Sequence, residues 1–431
     1  MTPYPEYKAT NLPWLPQIPA HWDWLMLSQL TEEQCVKNIG CLENNVLSLS
    51  YGNIVRKKNI YSGLSPQDFA TYQIVYQDNI ILRLTDLQND HRSLRTGLVK
   101  EKGIITSAYT CLKVHSNASF VHYLLHAYDL RKVFYGMGGG VRQSIGFKDI
   151  RSLRFPVAPV AEQEQIVRYL DSMTAKINKL IRAKKKICDL IFEEILLLAN
   201  EHINNAKLPR YRLKNVIKLV GDQIIRKDET LYTPIGVLNR GRGIFHKQQL
   251  LGKDLGDSEF FNVSPGDMIF SGQFAWEGAV AILQETERGC IASHRYPLAR
   301  AINRELLKLE YLWAFFQTKY GDMLLNIHSH GAAGRNRPLN IMRLLSEAIP
   351  IPPLEEQKKI EKLFLQLKEA KELAAKYSAQ LQEYKNSLIA SVVTGQVDVR
   401  NIQVEEFDPA DLITETDDDP AEDETSEESE E

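Results

Sequence analysis

Apolar positions along the chain follow two patterns, and the pair of patterns occurs twice. Residues 1–155 and 206–349 carry short apolar runs separated by turn residues, among them Ile80-Ile81-Leu82, Gly103-Ile104-Ile105, Met268-Ile269-Phe270 and residues 279–283. Short runs bounded by Gly, Pro, Asn and Asp predict strands. A helix is predicted near residues 121–135 in the first segment and 309–325 in the second, so both segments read as mixed α/β domains.

Each segment is followed by a long amphipathic stretch. In the second, Ile360, Leu363, Leu367, Ala370, Ala374, Tyr377, Leu381, Tyr384 and Leu388 step alternately by three and four residues, the spacing of a coiled-coil seam. The first steps likewise through Ile166, Leu170, Met173, Ile177, Leu180, Ile187 and Ile191, interrupted by Lys184 in the basic stretch Arg182-Ala-Lys-Lys-Lys186. Gly395 is a natural stop for the later helix, and the polar residues 200–207 end the earlier one. Helices of about 35–40 residues span about 50–60 Å, and a stripe this narrow does not hold one alone in water. The economical partner for each is the other, antiparallel, because the chain crosses a whole domain between them. The alternative is two ordinary domain helices, each packed locally.

An internal repeat supports the paired reading. Pro156-x-x-Pro159-x-x-Glu162-Gln163-x-x-Ile166 recurs 194 residues later as Pro350-x-x-Pro353-x-x-Glu356-Gln357-x-x-Ile360. The same offset pairs Gly140 with Gly334, Ile145 with Leu339 and Ile150 with Leu344. Pro159 and Pro353 are expected at the first helical position, followed by carboxylates that suit the positive helix end. The expected organisation is a domain at 1–155, a helix at 156–205, a second domain at 206–349, a second helix at 350–400 and an acidic disordered tail at 401–431. The fold class is therefore α/β (mixed α+β): two domains of similar fold separated by two long helices in an antiparallel coiled coil, with a pseudo-two-fold internal repeat.

Charge sharpens the picture. The net charge of −3 conceals a tail, residues 401–431, with 15 Asp and Glu and no Lys or Arg; the remainder holds 52 basic against 40 acidic residues, a net of +12. That excess suits a polyanionic partner. The tail is too acidic and too poor in apolar residues to fold by itself. The five cysteines are scattered, without a CxxC pair or zinc spacing, which reads as reduced thiols. The polar, Pro-rich start lacks the layout of a signal peptide and no apolar run reaches membrane length, so the expected location is the cytoplasm.

Candidate chemistry points to binding rather than catalysis. Gly136-Met-Gly-Gly-Gly140-Val-Arg142-Gln143-Ser144 fits neither phosphate-loop pattern, and its counterpart Gly331-Ala-Ala-Gly334-Arg335-Asn336-Arg337 is equally small and flexible. Both look like loops whose backbone approaches DNA while Arg and Gln or Asn reach base edges; the plain alternative is an exposed turn. Further candidates for DNA contact are Arg56, Lys57 and Lys58 after Tyr51, Arg92 and Arg95, Arg240 and Arg242, Lys247, Gln273 and Trp276. Any one of them could be a solvated charge, so the weight lies in two clusters within equivalent domains. His328-x-His330 lacks a third ligand at useful spacing, Ser293-His294 lacks a triad context, and there is neither a Walker A sequence nor an Asn-Pro-Pro-aromatic run. No catalytic and no metal-binding residue is assigned.

The repeated Pro-x-x-Pro-x-x-Glu-Gln-x-x-Ile leading into a long helix, after a Gly-rich loop, resembles the specificity subunit of Type I restriction–modification systems. Three further stretches look like that family: Trp14-Leu-Pro-Gln-Ile-Pro-Ala-His-Trp22, Asn239-Arg-Gly-Arg-Gly-Ile-Phe245 and Asn386-Ser-Leu-Ile-Ala-Ser-Val-Val-Thr-Gly395. The likeness covers nearly the whole chain to Arg400 and leaves the acidic extension outside the pattern. It implies two target-recognition domains reading two half-sites of double-stranded DNA. It further implies two methyltransferase subunits that bind S-adenosylmethionine, two restriction–translocase subunits that use ATP and Mg, and no cofactor in this chain. Two other readings compete: the specificity chain of a different methyltransferase–nuclease, and a structural coiled-coil adaptor without DNA readout.

Overall fold

A computed structural model describes residues 2–57, 69–85, 87, 94–137, 145–331 and 337–412. They fall into two units, the first combining residues 2–183 with 375–412 and the second built on residues 184–374. Each unit takes one domain of the sequence reading and part of each long helix.

In chain order the first unit has β1 (Asp23–Met26), β2 (Thr31–Gln34), β3 (Val36–Lys37), β4 (Leu47–Ser50), β5 (Asn53–Arg56), β6 (Gln73–Val75), β7 (Ile80–Leu82), β8 (Thr96–Leu98), β9 (Gly103–Ile105) and β10 (Thr110–Val114). Helix α1 (Ala118–Leu130), strand β11 (Arg154–Val157) and the long helix α2 (Val160–Asn204) follow. All pairing among them is antiparallel, in a four-stranded sheet β8-β7-β10-β2, a three-stranded sheet β9-β6-β3 and the pairs β11-β1 and β4-β5. A further hairpin, residues 7–12 with 15–19, precedes β1.

The second unit has a counterpart for each of the eleven strands β1–β11 and, in addition, a short pair, residues 231–232 with 250–251. It has β12 (Arg210–Arg212), β13 (Ile217–Val220), β14 (Asp222–Gln223), β15 (Ile235–Leu238), β16 (Gly243–His246), β17 (Phe260–Asn262), β18 (Met268–Phe270), β19 (Val280–Ile282), β20 (Ile291–Ser293) and β21 (Leu298–Ala301). Then come α3 (Leu309–Gln317), α4 (Lys319–Ile327), β22 (Ala348–Pro350) and the long helix α5 (Leu354–Val393). The sheets are β19-β18-β21-β13, β20-β17-β14, β22-β12 and β15-β16, so every strand corresponds to the one numbered eleven lower. Even an isolated parallel bridge, Val46 to Ile104, recurs as Pro234 to Ile291. The duplication thus extends through eleven strands of each unit, leaving out the hairpin at 7–19 and the pair 231–232 with 250–251, although in the sequence it shows only near the helix starts. The offset is 188 residues from β7 to β18 but 194 from β11 to β22, so insertions hide the match inside the domains.

Two predicted helices are shorter than expected. The Asn117 side chain caps α1 by accepting from the Phe120 amide at 3.0 Å, and α1 ends at Leu130; residues 133–136 form a separate 3-10 turn after Lys132, whose φ is +57°. The helix expected over 309–325 is broken at Thr318, which is extended and caps the following helix through its hydroxyl, accepting from the Gly321 amide at 3.2 Å.

The helix starts show why the repeat is kept. Pro159 and Pro353 stand one residue before their helices, and their carbonyls accept the first amide hydrogen bonds, at 2.9 Å from Glu162 and Gln163 and at 3.0 and 3.3 Å from Glu356 and Gln357. The Gln163 amide turns back to the Ala158 carbonyl at 2.7 Å and the Gln357 amide to that of Pro352 at 2.8 Å. Both glutamines are buried, as are Ile166 and Ile360 one turn further on. The glutamates diverge. Buried Glu162 accepts from the Trp22 indole at 3.0 Å, His21 at 2.9 Å and the Tyr4 hydroxyl, whereas Glu356 pairs with Lys359 near the surface. Trp22 and Pro19 in turn lie against Gly395, which ends α5 with φ +74° and has no room for a Cβ.

In the first unit Ile166, Tyr169 and Leu170 of α2 share a core with Leu388, Ile389, Val392 and Val393 of α5. In the second, Cys188, Ile195 and Ala199 of α2 join Ile360, Leu367 and Ala374 of α5. Within each unit the helices therefore pair antiparallel. The seam departs from the heptad reading: Leu180 and Ile187 are 51% and 47% exposed, while the buried line runs through Ile166, Ile177, Cys188 and Ala199. Those positions are eleven residues apart, or 3.67 per turn, nearer to the 3.6 of an α-helix than the 3.5 of a heptad, so over the same length they drift less around the helix. Lys385 is buried in the first unit, and its amine donates to Asn178 Oδ1 at 3.2 Å.

The tail also differs from expectation. Residues 401–412 lie along α2 instead of forming part of a disordered tail, because polar side chains of the helix capture their backbone. Gln165 donates to the carbonyls of Val399 and Ile402 at 3.0 and 2.7 Å, Ser172 to Glu405 at 3.1 Å, and Asn178 to Asp411 at 3.0 Å. Lys176 pairs with Glu405 at 2.9 Å and Arg182 with Asp411, while Ile402 and Val404 pack on the core. Residues 413–431 lie outside the described residues. Among the described residues no helix is long and apolar enough to cross a membrane.

Two predictions follow from this packing. Truncation after Arg400 removes these apolar contacts and hydrogen bonds and should destabilise the first unit by about 2–4 kcal/mol. Calorimetry of full-length and truncated chains checks this, and unchanged melting would mean that the strap contributes nothing. The second concerns pH. Burial pushes the imidazoles of His122 and His126 down to about 4 and about 3. The unfolded chain takes up these protons near pH 6.5, so their contribution is complete above that pH and is lost as the pH falls toward 4. The first unit should lose up to about 1.4 kcal/mol per histidine per pH unit in that window. His122→Leu with His126→Leu should flatten the slope of Tm against pH; an unchanged slope would assign it to other groups.

Candidate nucleic-acid interface

Three loops meet at one edge of the second unit. The first is the turn of hairpin β15–β16, whose register closes at Leu238 opposite Gly243 and leaves Asn239–Arg242 as the tip. The second is the β18–β19 connection, residues 271–279. The third follows α4 and includes Arg337. The Arg240 amide donates to the Glu277 carbonyl at 2.8 Å and the Gly241 amide to that of Gly278 at 3.1 Å, fastening the tip to the second loop. The Leu339 amide donates to the Gly272 carbonyl at 2.7 Å, bringing in the third. Gly272 is required there, since a Cβ would lie 2.3 Å from the Arg295 carbonyl oxygen.

The side chains on this edge are basic and aromatic. Arg240, Arg242 and Arg337 are exposed, and the Arg337 guanidinium stacks over the Trp276 ring, 4.7 Å from its centroid. Asn239 is buried and donates to Glu277 Oε2 at 2.9 Å, and the Arg242 Nε donates to the Asn239 carbonyl at 3.2 Å. Glu277 thus orients the amide that holds Arg242. Among the described residues the buried Nε1 of Trp276 and Nε2 of Gln317 have no hydrogen-bond partner. Gln273 lies half-buried in the second loop. Stacked guanidinium, exposed arginines and held amides form a surface suited to phosphate oxygens and base edges.

The first unit places the corresponding loops alike. The tip of β4–β5 is Tyr51-Gly52, the β7–β8 connection is residues 83–95, and the chain leaves the Gly-rich stretch at Ile145. The Ile145 amide donates to the Leu84 carbonyl at 3.0 Å, which is the counterpart of Leu339 on Gly272 and matches the pairing expected from the repeat.

The structure sorts the sequence candidates. Arg240, Arg242, Gln273, Trp276 and Arg337 come together. Lys247 does not: it follows β16 at the end opposite the tip, about 13 Å away along four residues of strand. Arg56 and Lys57 sit at that opposite end in the first unit, where Arg56 is held by Glu101, its Nε 2.6 Å from Oε1. Arg95 is corrected outright. It is fully buried, donating from Nη1 to the Thr85 carbonyl at 2.6 Å and from Nε to the Tyr135 hydroxyl at 3.0 Å, with its amide on Asp129 at 2.7 Å. A guanidinium so engaged braces the β7–β8 connection and is not presented to a phosphate. Lys58, Arg92, Arg142, Gln143, Ser144, Arg335 and Asn336 lie outside the described residues. Glu277 was missed by the sequence reading; its one signal was a lone carboxylate beside Trp276 in a loop otherwise free of acidic residues. His328, from the His-x-His pair, bonds Glu347 at 2.8 Å, and among the described residues no group of three His, Cys, Asp or Glu could hold a metal ion.

Known proteins share this architecture. The chain is 22% identical over 422 residues to a Methanocaldococcus jannaschii protein assigned as the MjaX type I restriction enzyme specificity subunit, covering 89% of this chain and 95% of that one. It is also 22% identical over 363 residues to the MjaVIII specificity subunit of the same organism, covering 77% and 82%. A chain solved in work on complex assembly and conformational transition of the type I R-M system shares the fold, with a TM-score of 0.56 at 15% identity over 88% of this chain and 99% of that one. The model of the type I restriction modification DNA specificity domain matches residues 97–187 and 207–383, more than half of the chain and parts of both units. The chain therefore belongs to that family, as a non-catalytic DNA-recognition subunit of the type I restriction–modification kind.

Proposed function

We propose that this subunit reads a two-part target in double-stranded DNA, one half with each unit, and leaves the bases between the halves unread. The observation that carries the proposal is the duplicated scaffold bearing different loops at equivalent places: Arg240, Trp276 and Arg337 on one, a Tyr51-Gly52 tip on the other. Equal scaffolds present their loops alike, and unequal loops select unequal sequences, so the half-sites differ. Basic side chains at these edges neutralise phosphates and set register, while arginines reach guanine O6 and N7 in the major groove. The net +12 over residues 1–400 supports this electrostatic attraction.

On the same reading the chain supplies the address and its partners the chemistry. Two methyltransferase subunits would bind S-adenosylmethionine and methylate adenine N6; two restriction–translocase subunits would use ATP and Mg to translocate and cut. The complex would work in the cytoplasm. Helices α2 and α5, of 45 and 40 residues, would set the length of the unread gap.

Single-molecule sequencing of adenine methylation tests the proposal, in cells expressing the partner methyltransferase with and without this chain. An interrupted motif with two different halves should appear only with the chain; a continuous motif, or none, would refute it. Inserting four residues, about one helical turn, into both α2 and α5 should lengthen the gap without changing either half. A gap of unchanged length would remove the helices from that role.

A further inference from the structure

The tips of hairpins β4–β5 and β15–β16 share a feature that folding does not require. A tight turn with two successive positive φ values ordinarily takes Asn-Gly or Asp-Gly, because other side chains crowd the backbone there. Here the pairs are Tyr51-Gly52, with φ +44° and +80°, and Arg240-Gly241, with φ +52° and +62°. A bulky residue in the left-handed region occupies the same place in both units. Neither side chain is drawn there by burial: Tyr51 is 57% exposed and Arg240 is exposed. The glycine behind each is pressed against its own unit. A Cβ on Gly52 would lie 3.1 Å from Leu94 Cδ1, and one on Gly241 would lie 2.6 Å from Gln317 Oε1. The unfavourable residue thus stands beside a glycine packed closely on its own unit, at the end of a two-stranded ribbon.

A two-stranded ribbon fits the major groove of B-form DNA, where base edges are distinguishable. We propose that the two tips are the groove-entering probes of the subunit, with Tyr51 and Arg240 as base-contacting, specificity-determining residues of the two half-sites. Arg240 offers a guanidinium to a guanine edge, and Tyr51 offers a ring face to a thymine methyl together with a hydroxyl. Backbone strain held at an exposed position in duplicate is then the cost of presenting these side chains at the narrowest point of each ribbon. The inference rests on the reading of the chain as a two-part DNA reader and extends it to a residue, Tyr51, outside the basic clusters that the sequence brings forward.

Tyr51→Gly and Arg240→Gly separate presentation from folding, because glycine accepts the positive φ and removes only the side chain. Each variant should melt no lower than the parent chain. In the methylation assay Tyr51→Gly should relax discrimination in one half of the motif and Arg240→Gly in the other, each by about 10- to 100-fold at one or two positions. Both variants retaining the full parental motif would overturn the inference and leave the two-part reading intact. Loss spread evenly over both halves, or a lowered Tm with the motif unchanged, would overturn it as well, showing the tips to be structural. A parent chain that confers no two-part motif would remove the underlying reading and this inference with it.

Discussion

A buried glutamine amide at the start of each long helix is the constraint on which the rest of the structure depends. Gln163 and Gln357 each close a hydrogen bond to the carbonyl two residues before the helix, next to an isoleucine with no exposed surface. A buried amide left unpaired would cost about 1–3 kcal/mol, so the final strand of each domain and the first turn of its helix are held in one geometry. Gln357 also accepts from the Lys308 amide at 2.8 Å, tying the approach to α3 into the same joint. Because each domain is clamped to its helix, the orientation of its loops is defined relative to that helix.

The helices then need each other. Neither stripe is wide enough to hold its helix alone, and each unit solves this by pairing part of α2 with part of α5. The eleven-residue step through Ile166, Ile177, Cys188 and Ala199 keeps the buried line on one face of α2. Polar residues in the seam of the first unit act differently from the apolar ones. Lys385 can be buried because Asn178 Oδ1 accepts a hydrogen bond from its amine, and the same Asn178 holds residues 401–412 at Asp411. Burial still pushes the Lys385 amine down to about 8. A charge placed there disfavours other registers, since sliding the helices would leave it without its acceptor.

The reading edge follows a different logic. Its scaffold is duplicated, whereas its loops share little sequence, so on the proposed reading one fold serves two unlike half-sites. Arg242 and Arg337 are held by Asn239, which Glu277 orients, and by the Trp276 ring, so on the proposed reading these two side chains would lose little freedom on meeting DNA. Arg95 shows the opposite use of the same residue type, a guanidinium consumed by carbonyls to brace a loop.

The sequence by itself determined the elements that rest on local chemistry. The Pro-x-x-Pro-x-x-Glu-Gln-x-x-Ile repeat marked both helix starts, Gly395 marked the end of α5, and the strands at Ile80, Gly103 and Met268 lie where apolar runs between turn residues put them. These signals are local, so periodicity and turn residues register them. Tertiary structure alone decided the remainder. That Arg95 is buried while Arg240 is exposed turns on the Asp129 carboxylate and the Tyr135 hydroxyl, 34 and 40 residues further along the chain. That Leu180 and Ile187 face solvent turns on the drift of a straight helix against its partner. That residues 401–412 lie on α2 turns on the donors Gln165, Ser172 and Asn178, more than 220 positions away. The duplication of the sheets was hidden because a fold tolerates insertions and exchanged side chains wherever strand pairing survives, and strand pairing is made by backbone groups that nearly every residue carries.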